Sequence, residues 1–215
     1  MRVRRLWVCV LAIALLASTA LAAELTRTQA LVALSQADPA ARRVGVDRLA
    51  EIGLMGDVDR VRERLADADP RVRNSAAAAV WKIWGRSGDL QIDKLYARGV
   101  EQMQASELSG ALATFNEVVR RKPDFAEGWN KRATIYFLLG ENEKSLRDCE
   151  EVFKRNPNHF GALAGAGQIH LQLGHIRLAL ELFRRAVEVN PNLEGPAQVI
   201  PLLELQLQDA DRNRT

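Results

Sequence analysis

The chain has 215 residues, 47% of them apolar, with 30 Lys and Arg against 27 Asp and Glu and a formal charge of +3. Arg2, Arg4 and Arg5 precede the first acid, Glu24, so the remainder carries 30 less three, or 27, basic side chains against 27 acidic ones. That balance excludes an electrostatic footprint for nucleic acid and a polybasic stripe for anionic lipid.

The first element is a leader. Met1-Arg2-Val3-Arg4-Arg5 is followed by an apolar run from Leu6 to Ala17 and then by small residues, with Ala20 and Ala22 spaced for signal peptidase. A positive start, a short apolar centre and a small-residue exit predict a signal peptide over residues 1–22, cut before Ala23. The alternative is an uncleaved anchor, for which the apolar centre is short against a span of about 20 residues. Cleavage places the mature chain in a bacterial periplasm or outside the cell, with no membrane contact once the leader is gone. Cys9 lies within the leader, so Cys149 is left without an internal disulfide partner.

Residues 23–88 carry a first repeat. Asp38-Pro39-Ala40-Ala41-Arg42 returns 31 residues later as Asp69-Pro70-Arg71-Val72-Arg73, and Leu49 and Ile52 are answered by Val80 and Ile83. Asp is a good N-cap and Pro suits the first helical position, so each pair predicts a helix start. Gly53 and Gly85 lie near the ends of these helices, and short partners are expected at about 26–36 and 57–66. The pattern resembles two HEAT-type repeats, which commonly open their second helix with Asp-Pro-x-Val-Arg. Arg60, Arg62 and Arg64, with Asp57, Asp59 and Asp67, read as a solvated face of paired charges. Trp81 and Trp84 flank Ile83 and are read as core joining two arrays, an exposed binding anchor being the other reading.

Residues 89–193 carry a second, clearer repeat. Pro123, Pro157 and Pro191 stand 34 residues apart. The same interval links Leu95, Trp129 and Leu163, then Gly99, Ala133 and Gly167, then Ala111, Ser145 and Ala179. It also links Leu112, Leu146 and Leu180, Phe115, Cys149 and Phe183, and Val118, Val152 and Ala186. Each unit reads as two amphipathic helices that approach closely at the small column and are stopped by proline. Gly140 and Gly174 separate the two helices of their units. A 34-residue helix–turn–helix with Trp129, Ala133, Tyr136, Ser145 and Pro157 in its middle copy resembles the tetratricopeptide repeat family. The departures are Gln102 and His170 where the family prefers Tyr, and Cys149 where it prefers Phe; these imply a locally looser core.

Residues 194–208, with Val199, Ile200, Leu202, Leu203, Leu205 and Leu207, are expected to form a helix covering the last apolar face. Pro201 would kink it or lie in its first turn. Residues 209–215 are polar and expected to be disordered. The whole is predicted to be all-α, a right-handed helical-hairpin solenoid with a C-terminal capping helix.

What the resemblance implies is a concave wall of first helices that binds a peptide segment. By register the wall comprises Tyr96, Val100 and Met103, then Asn130, Thr134 and Phe137, then Gln168, Leu171 and Gln172. Apolar anchors beside amides suit an extended chain, whereas a plain solvated helix face is the bland alternative. Some relatives grip a C-terminal carboxylate with Lys, Asn and Arg. Here those places hold Tyr96, Val100, Lys131, Gly161 and Gly165, and only Lys131 could serve.

Nothing else suggests chemistry. His170 and His175 are five apart, off a common helical face, and His159 falls beside the Pro157 turn, so no metal site is expected. Cys149 occupies a core column and reads as a small hydrophobe. No phosphate loop, serine elbow or paired acids appear, and neither an enzyme nor a cofactor is expected. The expected role is an exported adaptor for another protein in envelope assembly. A membrane-anchored assembly subunit and a non-catalytic accessory module of an envelope enzyme are the alternatives.

Overall fold

A computed structural model describes residues 24–213, and the leader expected over residues 1–22 lies outside the described residues. Among the described residues the chain forms eleven α-helices and no strand, an all-α solenoid of helical hairpins.

The N-terminal hairpins are α1 (Arg27–Ala33) with α2 (Pro39–Ile52), and α3 (Val58–Arg62) with α4 (Pro70–Trp84). Asp38 accepts hydrogen bonds from the Ala40 and Ala41 N–H groups, and Asp69 from those of Arg71 and Val72, each with Pro at the first helical position. Both helix starts are therefore set by the Asp-Pro pairs, since each carboxylate satisfies donors that the helix leaves free. The partner at 57–66 is not one helix but α3 flanked by 3-10 turns at Met55–Asp57 and Glu63–Ala66.

Of Asp57, Asp59 and Asp67 only Asp59 lies on a solvated face, paired with Arg62 at 3.0 Å. Asp57 and Asp67 are 2% and 7% exposed. Asp57 accepts from the Arg27 guanidinium at 2.7 and 2.5 Å, and Asp67 from Arg42 at 2.7 Å on both oxygens. These bidentate pairs clip the first hairpin to the second, and the arginines hold both carboxyls below their ordinary value.

The 34-residue units are α5 (Leu90–Gln104) with α6 (Leu108–Arg121), α7 (Ala126–Leu138) with α8 (Asn142–Arg155), and α9 (Phe160–Gln172) with α10 (Ile176–Val189). Their connecting turns are alike. The Glu107, Glu141 and His175 N–H groups donate at 2.8 Å to the Gln102, Tyr136 and His170 carbonyls. The residue before each sits in the left-handed region: Gly140 at φ 74°, Gly174 at φ 76°, but Ser106 at φ 60°. Serine pays a steric penalty there that glycine avoids, about 1–2 kcal/mol, offset in part by glycine's larger unfolded entropy. Ser106→Gly is therefore expected to stabilise the protein by about 0.5–1 kcal/mol in urea denaturation. An unchanged or lower midpoint would contradict this.

The capping helix α11 runs Glu194–Arg212, with Pro201 inside it and Leu203 buried against Ala179, Leu180 and Phe183. Helix thus extends past 208 into the stretch expected to be disordered. Arg177 donates to Asp211 at 2.8 Å, and Arg212 pairs with Asp209 within the last turn, both on the exposed surface.

The two arrays touch through the third unit of the second one. Arg73 Nε donates to Asn192 Oδ1 at 3.1 Å, and Asn192 Nδ2 donates to the Leu65 carbonyl at 2.7 Å. Phe160 belongs to the N-terminal core with Val80, Ile83 and Trp84.

Candidate functional site

The first helices α5, α7 and α9 supply the wall expected to bind a partner. One end of that wall is covered from within the chain. Trp84, 3% exposed, stacks on the His159 ring at 4.2 Å between centroids, and Trp81 meets the Phe160 ring edge-on at 5.1 Å. A Cβ on Gly161 would lie 2.4 Å from Trp81 Cη2, so only glycine lets the indole approach α9 this closely. The Lys131 ammonium lies 5.3 Å from the centre of the Trp81 ring, a cation–π contact. Both tryptophans thus join the arrays.

Beneath them is a polar centre that the sequence did not reveal. Glu127 and His159 are 1% and 0% exposed. His159 caps α9, its Nδ1 accepting from the Ala162 N–H at 3.1 Å. An accepting Nδ1 carries no proton, so the proton sits on Nε2, which donates to Glu127 Oε2 at 2.7 Å. Asn130 Nδ2 donates to the same oxygen at 3.1 Å. The other oxygen takes the Tyr96 hydroxyl at 3.3 Å and the Lys131 ammonium at 3.0 Å. Burial pushes the Glu127 carboxyl up, but His159 and Lys131 outweigh it and hold the group below its ordinary value. Burial and the adjacent carboxylate push the Tyr96 phenol up.

The nine groove residues divide accordingly. Tyr96, Val100 and Met103 are half-buried in one apolar cluster with Phe115, Phe125 and Ile135. Asn130 is buried and spends its amide on Glu127. Thr134, Gln168 and Gln172 are exposed, with Phe137 and Leu171 half-buried beside them. The register therefore leaves Thr134, Phe137, Gln168 and Gln172 on α7 and α9 outside the apolar clusters, while its α5 members face a core and Leu171 packs against Ala179, Leu180, Phe183 and Leu203. One signal for the missed centre was available: a histidine in the N-cap place of α9, where Asn, Asp or Ser is usual, with Gly161 two residues on.

The remaining candidates fall as follows. Cys149 is 3% exposed and burial pushes its thiol up to about 12, the behaviour of a core residue and not of a nucleophile. His170 and His175 do meet, Nδ1 to Nδ1 at 3.2 Å, because the Gly174 turn folds the chain back on itself. Burial and the neighbouring ring lower the His170 pKa.

Residues 96–152 and 139–194 match a tetratricopeptide repeat family model. A TPR repeat-containing protein of Rhizobium etli is 34% identical over 125 residues, 58% of this chain and 61% of that one. A small glutamine-rich tetratricopeptide repeat-containing protein of Dictyostelium discoideum is 32% identical over 102 residues, 47% of this chain and 30% of that one. This chain thus spans less than two thirds of either relative. Among solved structures, the first TPR of Spaghetti (RPAP3), bound to an HSP90 peptide, superposes with a TM-score of 0.53 at 19% identity. That alignment covers 56% of this chain and 96% of the other, a likeness of fold alone. Sequence match, repeat interval and hairpin geometry agree, and residues 96–194 are tetratricopeptide repeats.

Proposed function

We propose that this protein is an exported, non-catalytic adaptor that holds a segment of another polypeptide along the uncovered part of its concave wall. The observation that carries this reading is the surface of α7 and α9. Exposed Thr134, Gln168 and Gln172 lie on the same helices as half-buried Phe137 and Leu171, the latter at the edge of the capping cluster, so apolar surface accompanies amides able to pair with a bound backbone. The neighbour bound to an HSP90 peptide supports a polypeptide as the ligand class.

The segment is held by its side chains and backbone, not by a C-terminal carboxylate. Lys131 is committed to Glu127 and Trp81, and Gly161 lies under the Trp81 indole. Export rests on the leader pattern of residues 1–22, and envelope assembly on the compartment it implies. Recovery of Ala23 as the mature N-terminus supports export with cleavage; an intact Met1 end favours the anchored assembly subunit instead.

The test is photo-crosslinking in the living envelope with probes at Phe137 and Leu171, and at the half-buried Tyr96 as a reference. A single polypeptide should crosslink from the first two positions. The double variant Phe137→Ala/Leu171→Ala should weaken its capture at least tenfold, since buried anchors carry about 1–3 kcal/mol each. Capture that ignores both residues sinks the groove.

A further inference from the structure

We propose that His170 and His175 form a two-nitrogen chelate for a borderline divalent metal ion, of the copper(II), nickel(II) or zinc class, at the turn of the third tetratricopeptide hairpin.

The geometry comes from the repeat. In all three units the residue opening the second helix donates its N–H to the carbonyl five positions back, at 2.8 Å, across a left-handed turn. The pairs so brought together are Gln102 with Glu107, Tyr136 with Glu141, and His170 with His175. Only the third has two imidazoles. The turn is thus a rigid frame that the hairpin forms for its own packing, and the third unit places two nitrogen ligands on it.

The separation suits a shared ion. Metal–imidazole bonds of about 2.0–2.1 Å put two ligand nitrogens about 2.9 Å apart at a right angle and about 3.4 Å apart at the tetrahedral angle. The Nδ1 atoms lie 3.2 Å apart, between these limits; their ring centroids, 5.5 Å apart, show the nitrogens facing head-on, so each ring must swing by about 40° to aim its lone pair at a shared ion. At that distance one proton lies between the two neutral rings. On binding, that proton moves to the Nε2 of its own ring, each Nδ1 gives a lone pair to the metal, and no net proton is released.

The remaining ligands are water. No group of three or more His, Cys, Asp or Glu placed to hold a metal occurs among the described residues. His175 is exposed and His170 half-buried, so the open positions face solvent. Such a site is exchangeable, and copper(II) should bind best by the ordinary divalent order. Because His170 lies in the last turn of α9 and His175 is the N-cap of α10, occupancy ties the two across the turn and favours the folded state.

The experiment titrates copper(II), and separately zinc(II), into the whole mature protein and into His170→Gln, His175→Gln and the double variant. Helical content by circular dichroism checks each fold. One equivalent of copper(II) should bind the parent protein, with two equivalent-type nitrogens in its electron paramagnetic resonance spectrum and a raised melting midpoint. Each single variant should bind at least tenfold more weakly, and the double variant should lose both the nitrogen signature and the thermal shift. Equal affinity in the parent and the double variant, or no binding at micromolar metal, overturns the proposal.

Discussion

Glu127→Ala is expected to lower the stability of the protein by about 3–5 kcal/mol, the usual consequence of removing one partner from a buried charged network. The carboxylate is the common acceptor for His159, Asn130, Tyr96 and Lys131. Its removal strands the buried His159 and Asn130 donors, each of which then carries an uncompensated desolvation penalty of about 1–3 kcal/mol. Lys131, partly exposed, can turn to water. Glu127→Gln keeps the shape and one acceptor oxygen but sets an amide N–H₂ against donors, so a smaller loss of about 1–2 kcal/mol is expected. Urea denaturation at neutral pH gives both values, and an alanine variant within 1 kcal/mol of the parent would deny the network this role.

The same network has a pH signature with a defined sign. The Glu127 carboxyl is held below its ordinary value of 4.5 in the folded state. The unfolded chain therefore takes up its proton first as pH falls, and the folded state loses its advantage below about that pH. Above 4.5 the contribution is fully present. Asp57 and Asp67, each gripped by an arginine, shift in the same direction. The stability gap between the parent and Glu127→Gln should accordingly narrow as pH drops below 4.5, since glutamine does not titrate. A gap that stays constant down to pH 3 would mean that the carboxylate charge is not what the site uses.

What the letters disclosed and what they hid divide along a physical line. Periodicity names equivalent positions, so the three proline-terminated hairpins and the Gly140 and Gly174 turns were readable from an interval alone. Caps are local, so Asp38 and Asp69 declared their helices. Contacts between non-equivalent positions left no such trace. Glu127 and His159 are 32 residues apart in different units and meet because α4 lays Trp84 on the imidazole. Arg27 reaches Asp57 across 30 residues, which a reading of adjacent charges as neighbours on one helix does not anticipate. A break at Gly174 is legible between His170 and His175, but that its turn brings the two rings together is not. The proposed groove meets the same limit. Register put nine residues on the first helices, but whether Tyr96 faces a ligand or a core depends on Glu127 and Phe125 from the next unit.

Cys149→Phe is expected to destabilise the protein, although phenylalanine is what the flanking units carry at that place. In the first and third units the small column is glycine, and a Cβ added at Gly99 or Gly167 would lie 2.6 or 2.7 Å from the ring of Phe115 or Phe183. The middle unit has Ala133 in that column, and its real methyl packs with Cys149 in one cluster. Glycine opposite phenylalanine and alanine opposite cysteine are two solutions to one volume, so Cys149 and Ala133 are matched partners. A phenyl ring at 149 against the Ala133 methyl overpacks the hairpin, at about 1–3 kcal/mol. Ala133→Gly alone should also destabilise, by about 1 kcal/mol from helix propensity together with the lost contact. Combining the two restores the arrangement of the neighbouring units, so the double variant should be more stable than the sum of the singles by about 2 kcal/mol. Guanidinium denaturation of the four proteins closes the cycle. Additive losses would show that the ring escapes past Leu146 and Phe153, and that the two columns are not coupled.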